Sequence, residues 1–193
     1  HCIPPSDGLV SWWLGENNPI DIQSGNNGTP EGGTSYSSGK VGVGFHFDGV
    51  NDRIRIPDAE NLKITGSLTI ESWIYLESYP SQYTGGQILF RGDDGYDGDP
   101  YTLTITPNGR LQLHIASLTA TADLYAPITT NKFLHVAGTL DSSSGAMRLY
   151  INGLVVAETT TTVRPLRNLN PNYLPGIGIG NTQGTGSLQD RKS

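Results

Sequence analysis

Apolar and polar residues alternate with a period of two along much of this chain. In Val41–Phe47 every odd-numbered position is apolar, and the positions between are glycine or histidine. Period two is typical of a half-buried β-strand, and no segment shows the 3.6-residue period of an amphipathic helix. The pattern therefore predicts an all-β protein. Its further strands are Leu9–Leu14, Arg53–Ile56, Ser67–Leu76 and Gln87–Arg91.

One hairpin can be placed in register because its apolar residues must share a face. A two-residue turn at Asn108-Gly109 would set Ile105 opposite a polar residue. A three-residue loop instead pairs Ile105 with Leu111 and Leu103 with Leu113. That loop suits a type I turn followed by a glycine in the left-handed conformation.

A second hairpin turns at Asn152-Gly153, which is a two-residue turn that pairs Ile151 with Leu154 and Leu149 with Val156. The opposite face of the two hairpins is predicted to be a solvated surface or a groove. It carries Thr102, Thr104, Gln112, His114, Arg148 and Tyr150. The predicted core between two sheets contains Val43, Phe45, Ile54, Ile70, Leu103, Leu113, Leu149 and Ile151.

Composition narrows the class of protein. The chain has 193 residues, which fits one all-β domain, and its 25 glycines and 12 prolines suit many tight turns. A net charge of −6 argues against a nucleic-acid partner. No run approaches the ~18 consecutive apolar residues of a membrane-spanning helix, so membrane insertion is not expected. Cys2 is the only cysteine, so no intrachain disulfide can form.

A series of short motifs resembles the laminin-G-like branch of the concanavalin A-like lectins. The motifs are Gly8–Asn18, Gly25–Thr29, Phe47–Asp52, Leu68–Ile74, His135–Gly138, Arg148–Gly153 and Gly176–Gly180. The resemblance implies a two-sheet antiparallel jelly-roll sandwich. It also implies a secreted or cell-surface location.

The expected organisation is a leader over residues 1–8, a jelly roll over 9–186 and a polar tail over 187–193. The family pattern usually ends in a Phe-x-Gly-x-Ile-Asp-Glu strand, which this sequence does not contain. In related folds that strand lies beside the N-terminal one. We therefore expect Leu9–Leu14 to form an open sheet edge. The tail could replace the missing strand, two copies could pair edge to edge, or a separate strand could complete the sheet. Self-association is favoured, because the tail is too polar to replace an Ile-rich strand.

Calcium is the metal that the acidic loops favour, because it prefers carboxylate and carbonyl oxygens. A structural role is expected for it, although turns and solvated loops explain the same residues. The scattered histidines and the lone thiol do not suit zinc. The candidate metal ligands are Asp21, Asp48, Asp93, Asp94, Asp97 and Asp99.

No catalytic constellation emerges from the sequence. Glycoside hydrolysis uses paired carboxylates, and no Glu-x-Asp-x-x-Glu motif is present. Gln112-Leu113-His114 has the form of a motif in jelly-roll alginate lyases, but the Arg-rich and Tyr-rich partner strands of those enzymes are missing. The sequence therefore predicts no hydrolase or lyase activity, because no pair of carboxylates and no His/Tyr/Arg set shares a strand face at catalytic spacing.

The sequence thus favours a non-catalytic, secreted module that binds a carbohydrate. The alternative is a protein-interaction or adhesion module, with a cell-surface protein as partner, and a lyase or hydrolase is a distant third. Glu71 and Trp73 share a strand face and suit a sugar site, but the favoured interpretation puts Trp73 in the core. The candidate ligand-binding residues are Tyr96, Gln112, His114 and Tyr150.

Overall fold

The computed structural model describes residues 7–81, 85–93, 95 and 98–182. Within these residues the chain forms thirteen β-strands and two three-residue 3-10 helices, at Glu60–Leu62 and Pro171–Tyr173. The all-β prediction is confirmed. The strands are β1 (Thr29–Glu31), β2 (Ser35–Ser38), β3 (Val43–His46), β4 (Arg53–Pro57), β5 (Leu68–Tyr75), β6 (Gly86–Gly92), β7 (Tyr101–Ile105), β8 (Arg110–Ala116), β9 (Thr121–Pro127), β10 (Phe133–Leu140), β11 (Ala146–Ile151), β12 (Leu154–Thr160) and β13 (Gly176–Gly180). No helix among the described residues is long and apolar enough to cross a membrane.

Two antiparallel sheets enclose the core, as the predicted jelly-roll sandwich requires. The larger has the order β1-β4-β13-β6-β7-β8-β9 and the smaller the order β12-β11-β10-β5, while β2 and β3 form a separate ribbon. Five of the eight predicted core residues are buried: Ile54, Ile70, Leu103, Leu113 and Leu149. The other three, Val43, Phe45 and Ile151, are only partly buried, because β3 lies in the ribbon and Ile151 ends its strand at a turn.

The β7–β8 hairpin has the register that the apolar pattern predicts. Ile105 pairs with Leu111 and Leu103 with Leu113. The loop closes with a hydrogen bond of 3.0 Å from the Gly109 N–H to the Thr106 carbonyl, and Gly109 has a φ of +74°. Only glycine adopts that backbone conformation without strain, so the turn fixes the register of the whole pair.

The β11–β12 hairpin confirms the predicted turn but not the whole register. Ile151 pairs with Leu154, yet the register shifts beyond this pair and Leu149 lies opposite Ala157, not Val156. An extra residue on β12 forms a β-bulge, which locally displaces the pairing. The pattern could not reveal it, because β12 starts with four consecutive apolar residues and no alternation.

The predicted strand at Leu9–Leu14 is wrong. This stretch makes one isolated bridge, between Trp13 and Asp21, and no strand. Side chains hold it instead: the Trp13 indole N–H donates to the Asn26 carbonyl at 2.8 Å, and the Asp21 carboxylate accepts the Trp12 N–H at 2.8 Å. Leu9–Leu14 is therefore not an open sheet edge, and self-association stays a prediction without that support.

A fully buried arginine ties a long loop to the larger sheet. Arg91 on β6 donates to the carbonyls of Leu166 at 3.1 Å and Arg167 at 2.9 Å, and to the Asp58 carboxylate at 3.3 Å. A buried charge is tolerated only where such partners compensate the loss of hydration. Arg91 thus connects the loop before β13 to the end of the sheet.

We expect Arg91→Met to lower the free energy of unfolding by about 3 kcal/mol, since it removes these hydrogen bonds and leaves the Asp58 charge with less compensation. Urea denaturation measures this. Arg148→Ala is the control, because Arg148 forms an exposed ion pair with Glu158 and should leave the midpoint unchanged. Equal midpoints for Arg91→Met and the wild type would contradict the structural role of Arg91.

Candidate functional site

The outer face of the larger sheet carries two cross-strand rows of polar side chains. Because β7, β8 and β9 pair in register and successive residues point to opposite faces, alternate positions of all three strands line up. One row is Thr104, Gln112 and Tyr125, and the other is Thr102, His114 and Asp123.

A hydrogen-bond network joins the β8 and β9 members of these rows. Asp123 Oδ1 accepts from Gln112 Nε2 at 2.7 Å and lies 2.7 Å from His114 Nδ1. Since the carboxylate only accepts, His114 carries its proton on Nδ1 in this contact. Gln112 Nε2 also donates to the Tyr125 hydroxyl at 3.0 Å. The four side chains therefore hold one another in fixed positions.

The surroundings of Asp123 and Tyr125 shift the pKa values of these two groups in opposite directions. The hydrogen bond from His114 lowers the pKa of Asp123 below its ordinary value, and the bond from Gln112 adds to this against the opposing effect of burial. Burial and the nearby Asp123 charge raise the pKa of Tyr125, although Arg110, 4.7 Å from its ring centroid, acts in the other direction. At neutral pH the face presents a carboxylate beside a protonated phenol.

Close contacts restrict the accessible part of this face. At β13 a Cβ on Gly180 would lie 2.7 Å from the Phe47 ring, and one on Gly178 would overlap the Asn181 carbonyl. On β7, Thr102 and Thr104 are buried. The exposed part is therefore the β8–β9 side, where the side chains of His114 and Asp123 keep 20% and 30% of their surface.

Several polar atoms of the network have no hydrogen-bond partner in the described part of the chain. They are Oδ2 of Asp123, Oε1 of Gln112, Nε2 of His114 and the O–H hydrogen of Tyr125. This group combines two hydrogen-bond acceptors, one phenolic donor and one imidazole nitrogen. Such a set suits a ligand that offers several hydroxyl groups close together.

The predicted ligand-binding residues are only partly brought together. Gln112 and His114 are neighbours on β8, but Tyr150 lies on β11 in the other sheet, opposite Ala137. Alternation predicted which way Tyr150 faces within its hairpin, but not that its hairpin belongs to a different sheet. Tyr96 lies outside the described residues.

Asp123, Tyr125 and Arg110 are site residues that the sequence interpretation missed. Thr121–Pro127 does alternate, with Ala122, Leu124 and Ala126 inward, so period two was the available signal. The pairing of β8 with β9 also places His114, Tyr125 and Arg110 on one sheet face. The expectation of no hydrolase or lyase activity remains a prediction.

Among the candidate metal ligands, Asp21 is engaged by the backbone. Its Oδ1 accepts the N–H groups of Trp12 and Gln23 at 2.8 and 3.0 Å, and its Oδ2 accepts the Asn26 N–H at 3.0 Å. Burial alone would raise the pKa of Asp21, but these three backbone hydrogen bonds together lower it. Asp48 is exposed and accepts the Val50 N–H at 2.8 Å.

The acidic loop after β6 is described only in part. Asp93 is buried and accepts the Gly95 N–H at 2.7 Å, and Asp99 lies beside Gly92. Asp94 and Asp97 lie outside the described residues. Within the described ranges no group of three or more acidic, histidine or cysteine side chains is placed to hold a metal ion. Structural calcium therefore stays a prediction.

Comparison with known proteins identifies a family. A family model described as the concanavalin A-like lectin/glucanases superfamily matches residues 48–190, which is well over half of the chain. No curated protein sequence matches the chain significantly.

Solved structures share the fold at low sequence identity. The CBM40 of the Ruminococcus gnavus IT-sialidase, bound to α2,3 sialyllactose, has a TM-score of 0.51 at 17% identity, over 65% of this chain and 69% of that one. A Trypanosoma rangeli sialidase mutant with trans-sialidase activity has a TM-score of 0.57 at 17% identity, over 87% of this chain and 26% of that one. The chain thus spans about a quarter of the length of that sialidase.

We expect Asp21→Asn to lower the free energy of unfolding by about 2 kcal/mol at pH 7, because an amide nitrogen replaces one acceptor of backbone N–H groups. The folded-state pKa of Asp21 is lowered, so its contribution is complete above the unfolded pKa of about 3.9 and is lost as pH falls through the folded value. The difference from wild type should therefore shrink below about pH 4. Denaturation across pH 2–7 measures it, with Asp48→Asn as the exposed control. A difference that does not change with pH would contradict this role.

Structural calcium predicts a higher melting temperature in calcium than in a chelator, because an ion bound only to the folded state stabilises it. Differential scanning calorimetry of the full chain in each buffer is the measurement. Asp93→Asn should reduce the difference between the two buffers. Identical melting curves would remove calcium as a stabilising element.

Proposed function

Because the chain belongs to the concanavalin A-like lectin/glucanases superfamily, we propose that it is a non-catalytic module that binds a carbohydrate. The proposed site is the β8–β9 part of the outer face of the larger sheet. The family hosts many functions, so the fold alone does not carry this proposal. The side chains of the site carry it.

The hydrogen-bonded group of Gln112, His114 and Asp123, with the polar atoms that its internal bonds leave unused, is the main support. Binding a hydroxyl-rich ligand needs donors and acceptors that are already oriented, since ordering them on binding costs free energy. The mutual hydrogen bonds of these side chains meet that need. Neighbouring sugar hydroxyls can then donate to the carboxylate and the amide oxygen and accept from Tyr125.

A binding role fits the site better than hydrolysis. Glycoside hydrolysis usually requires two carboxyl groups that flank the scissile bond. Asp123 is the only carboxylate on β8 and β9, and its lowered pKa keeps it ionised and unsuited to act as an acid. Tyr125 has a raised pKa and is equally unsuited to act as a base at neutral pH.

The shared fold suggests which sugars to test first. The Ruminococcus gnavus module is bound to α2,3 sialyllactose, and Arg110 beside Tyr125 gives this face a cation that an acidic sugar could contact. The negative charge of Asp123 would repel an acidic sugar and therefore favours neutral sugars, so both kinds are tested. A secreted or cell-surface location and a cell-surface protein partner stay predictions.

The test is a glycan array followed by calorimetric titration of the best ligand. We expect Gln112→Ala and Asp123→Asn each to weaken binding about tenfold. A loss of this size corresponds to one hydrogen bond to the ligand, made either by the charged Asp123 or by its partner Gln112. Thr119→Ala, in the exposed turn of the same hairpin, is the matched control and should bind as the wild type does.

Melting curves establish that each variant is folded. Array-wide silence of the folded wild type would overturn the proposal and favour the protein-interaction alternative. Wild-type affinity in both Gln112→Ala and Asp123→Asn would show that a sugar binds elsewhere on the domain.

A further inference from the structure

The outer face of the smaller sheet carries exposed aromatic side chains that the site above does not use. On β5 the inward residues are Leu68 and Ile70, so strand alternation turns Trp73 and Tyr75 outward. Trp73 is 48% exposed and Tyr75 46%. The favoured sequence interpretation, with Trp73 in the core, is therefore wrong. Trp73 lies an odd number of positions after the inward-facing Ile70 on the same strand, so it faces the other way.

These rings form a two-by-two array with residues of β10. Trp73 pairs in register with His135 and Tyr75 with Phe133. The ring centroids are 5.3 Å apart in the first pair and 5.1 Å apart in the second. The backbone spacing of such an array is about 7 Å along the strands and 5 Å across them, which is the scale of one or two sugar rings.

Polar groups are interleaved with the array. Glu71 Oε2 lies 3.8 Å from His135 Nε2, and the Glu71 side chain is 63% exposed. Lys40 Nζ lies 5.5 Å from the centroid of the Trp73 ring. Beside Glu71, β10 contributes only Ala137, whose other cross-strand neighbour is Tyr150. The small Ala137 side chain thus stands between a carboxylate and an aromatic ring.

This composition and size fit a sugar better than a protein partner. The centre of a protein interface is depleted of charged residues, yet Glu71 and Lys40 adjoin the rings here. A stable interface also buries about 800 Å² on each partner, which is much more than a four-ring array offers. The apolar face of a pyranose can stack on exposed rings, while its hydroxyls need nearby carboxylate, imidazole or ammonium groups.

We propose that Trp73, Tyr75, Phe133, His135 and Glu71 form a second carbohydrate-binding surface, which stacks a neutral pyranose ring on the Trp73 and Tyr75 side. The inference rests on the proposed function for its ligand class, but it uses no residue of the first site. The two surfaces lie on opposite outer faces of the sandwich. One domain could then contact two separate glycan chains.

Native affinity electrophoresis of the full chain tests this, through gels that contain dissolved dextran, laminarin, xyloglucan or hydroxyethylcellulose. The variants are Trp73→Ala, Gln112→Ala and the double variant. We expect Trp73→Ala to weaken retardation by at least one polysaccharide about tenfold. Gln112→Ala should keep that retardation, and the double variant should lose all retardation.

Thr69→Ala is the matched control, since Thr69 is exposed on the same strand and faces the same way. Tyr75→Ala should give a smaller loss than Trp73→Ala, and a melting curve checks that each variant is folded. If Trp73→Ala fails to fold, Tyr75→Ala decides the outcome.

The outcomes separate the two proposals. If the single variant Gln112→Ala loses all retardation, the second surface is overturned and the proposed function still stands. If one polysaccharide loses its retardation in Trp73→Ala and keeps it in Gln112→Ala, the second surface is supported. If, in addition, Gln112→Ala changes the retardation by none of the polysaccharides, the first site is left without a ligand among them. No retardation of the wild type, or wild-type retardation in Trp73→Ala, would overturn the second surface.

Discussion

The alternation of side chains along each strand is the constraint on which the rest of the structure depends. Burial of Leu103 and Leu113 between the sheets fixes one face of β7 and β8, and the turn at Gly109 fixes their register. A slip of one residue would exchange every inward and outward side chain. The same constraint therefore forms the core and leaves Gln112 and His114 on the outer face.

The sequence predicted most where alternation and turn chemistry agree. The β7–β8 register followed from both, whereas the β11–β12 register was lost at a bulge beyond Ile151. Thr29–Glu31 and Ser35–Ser38 are short strands among turn-forming residues, and periodicity cannot detect strands of this length. Leu9–Leu14 looked like a strand because it is apolar, but its backbone is held by the Asp21 side chain.

The candidate site was only half predictable for a related reason. Alternation placed Gln112 and His114 together, but Asp123 and Tyr125 join them only through the pairing of β8 with β9, which a single sequence does not specify. Trp73 shows the reverse case. Because Trp73 lies an odd number of positions after Ile70, strand alternation already required it to face outward. The general preference of large aromatic residues for the core led to the wrong prediction.

The central claim is that outward strand residues, and not the loops at the ends of the sheets, bind a carbohydrate. An NMR titration of the ¹⁵N-labelled chain with its tightest-binding oligosaccharide tests this most directly. The account predicts the largest chemical-shift changes at the Gln112 side-chain amide and the backbone amides of β8 and β9, with changes at the Trp73 indole N–H at higher ligand concentration. Shift changes confined to loop residues, with both of these side-chain signals unmoved, would contradict it.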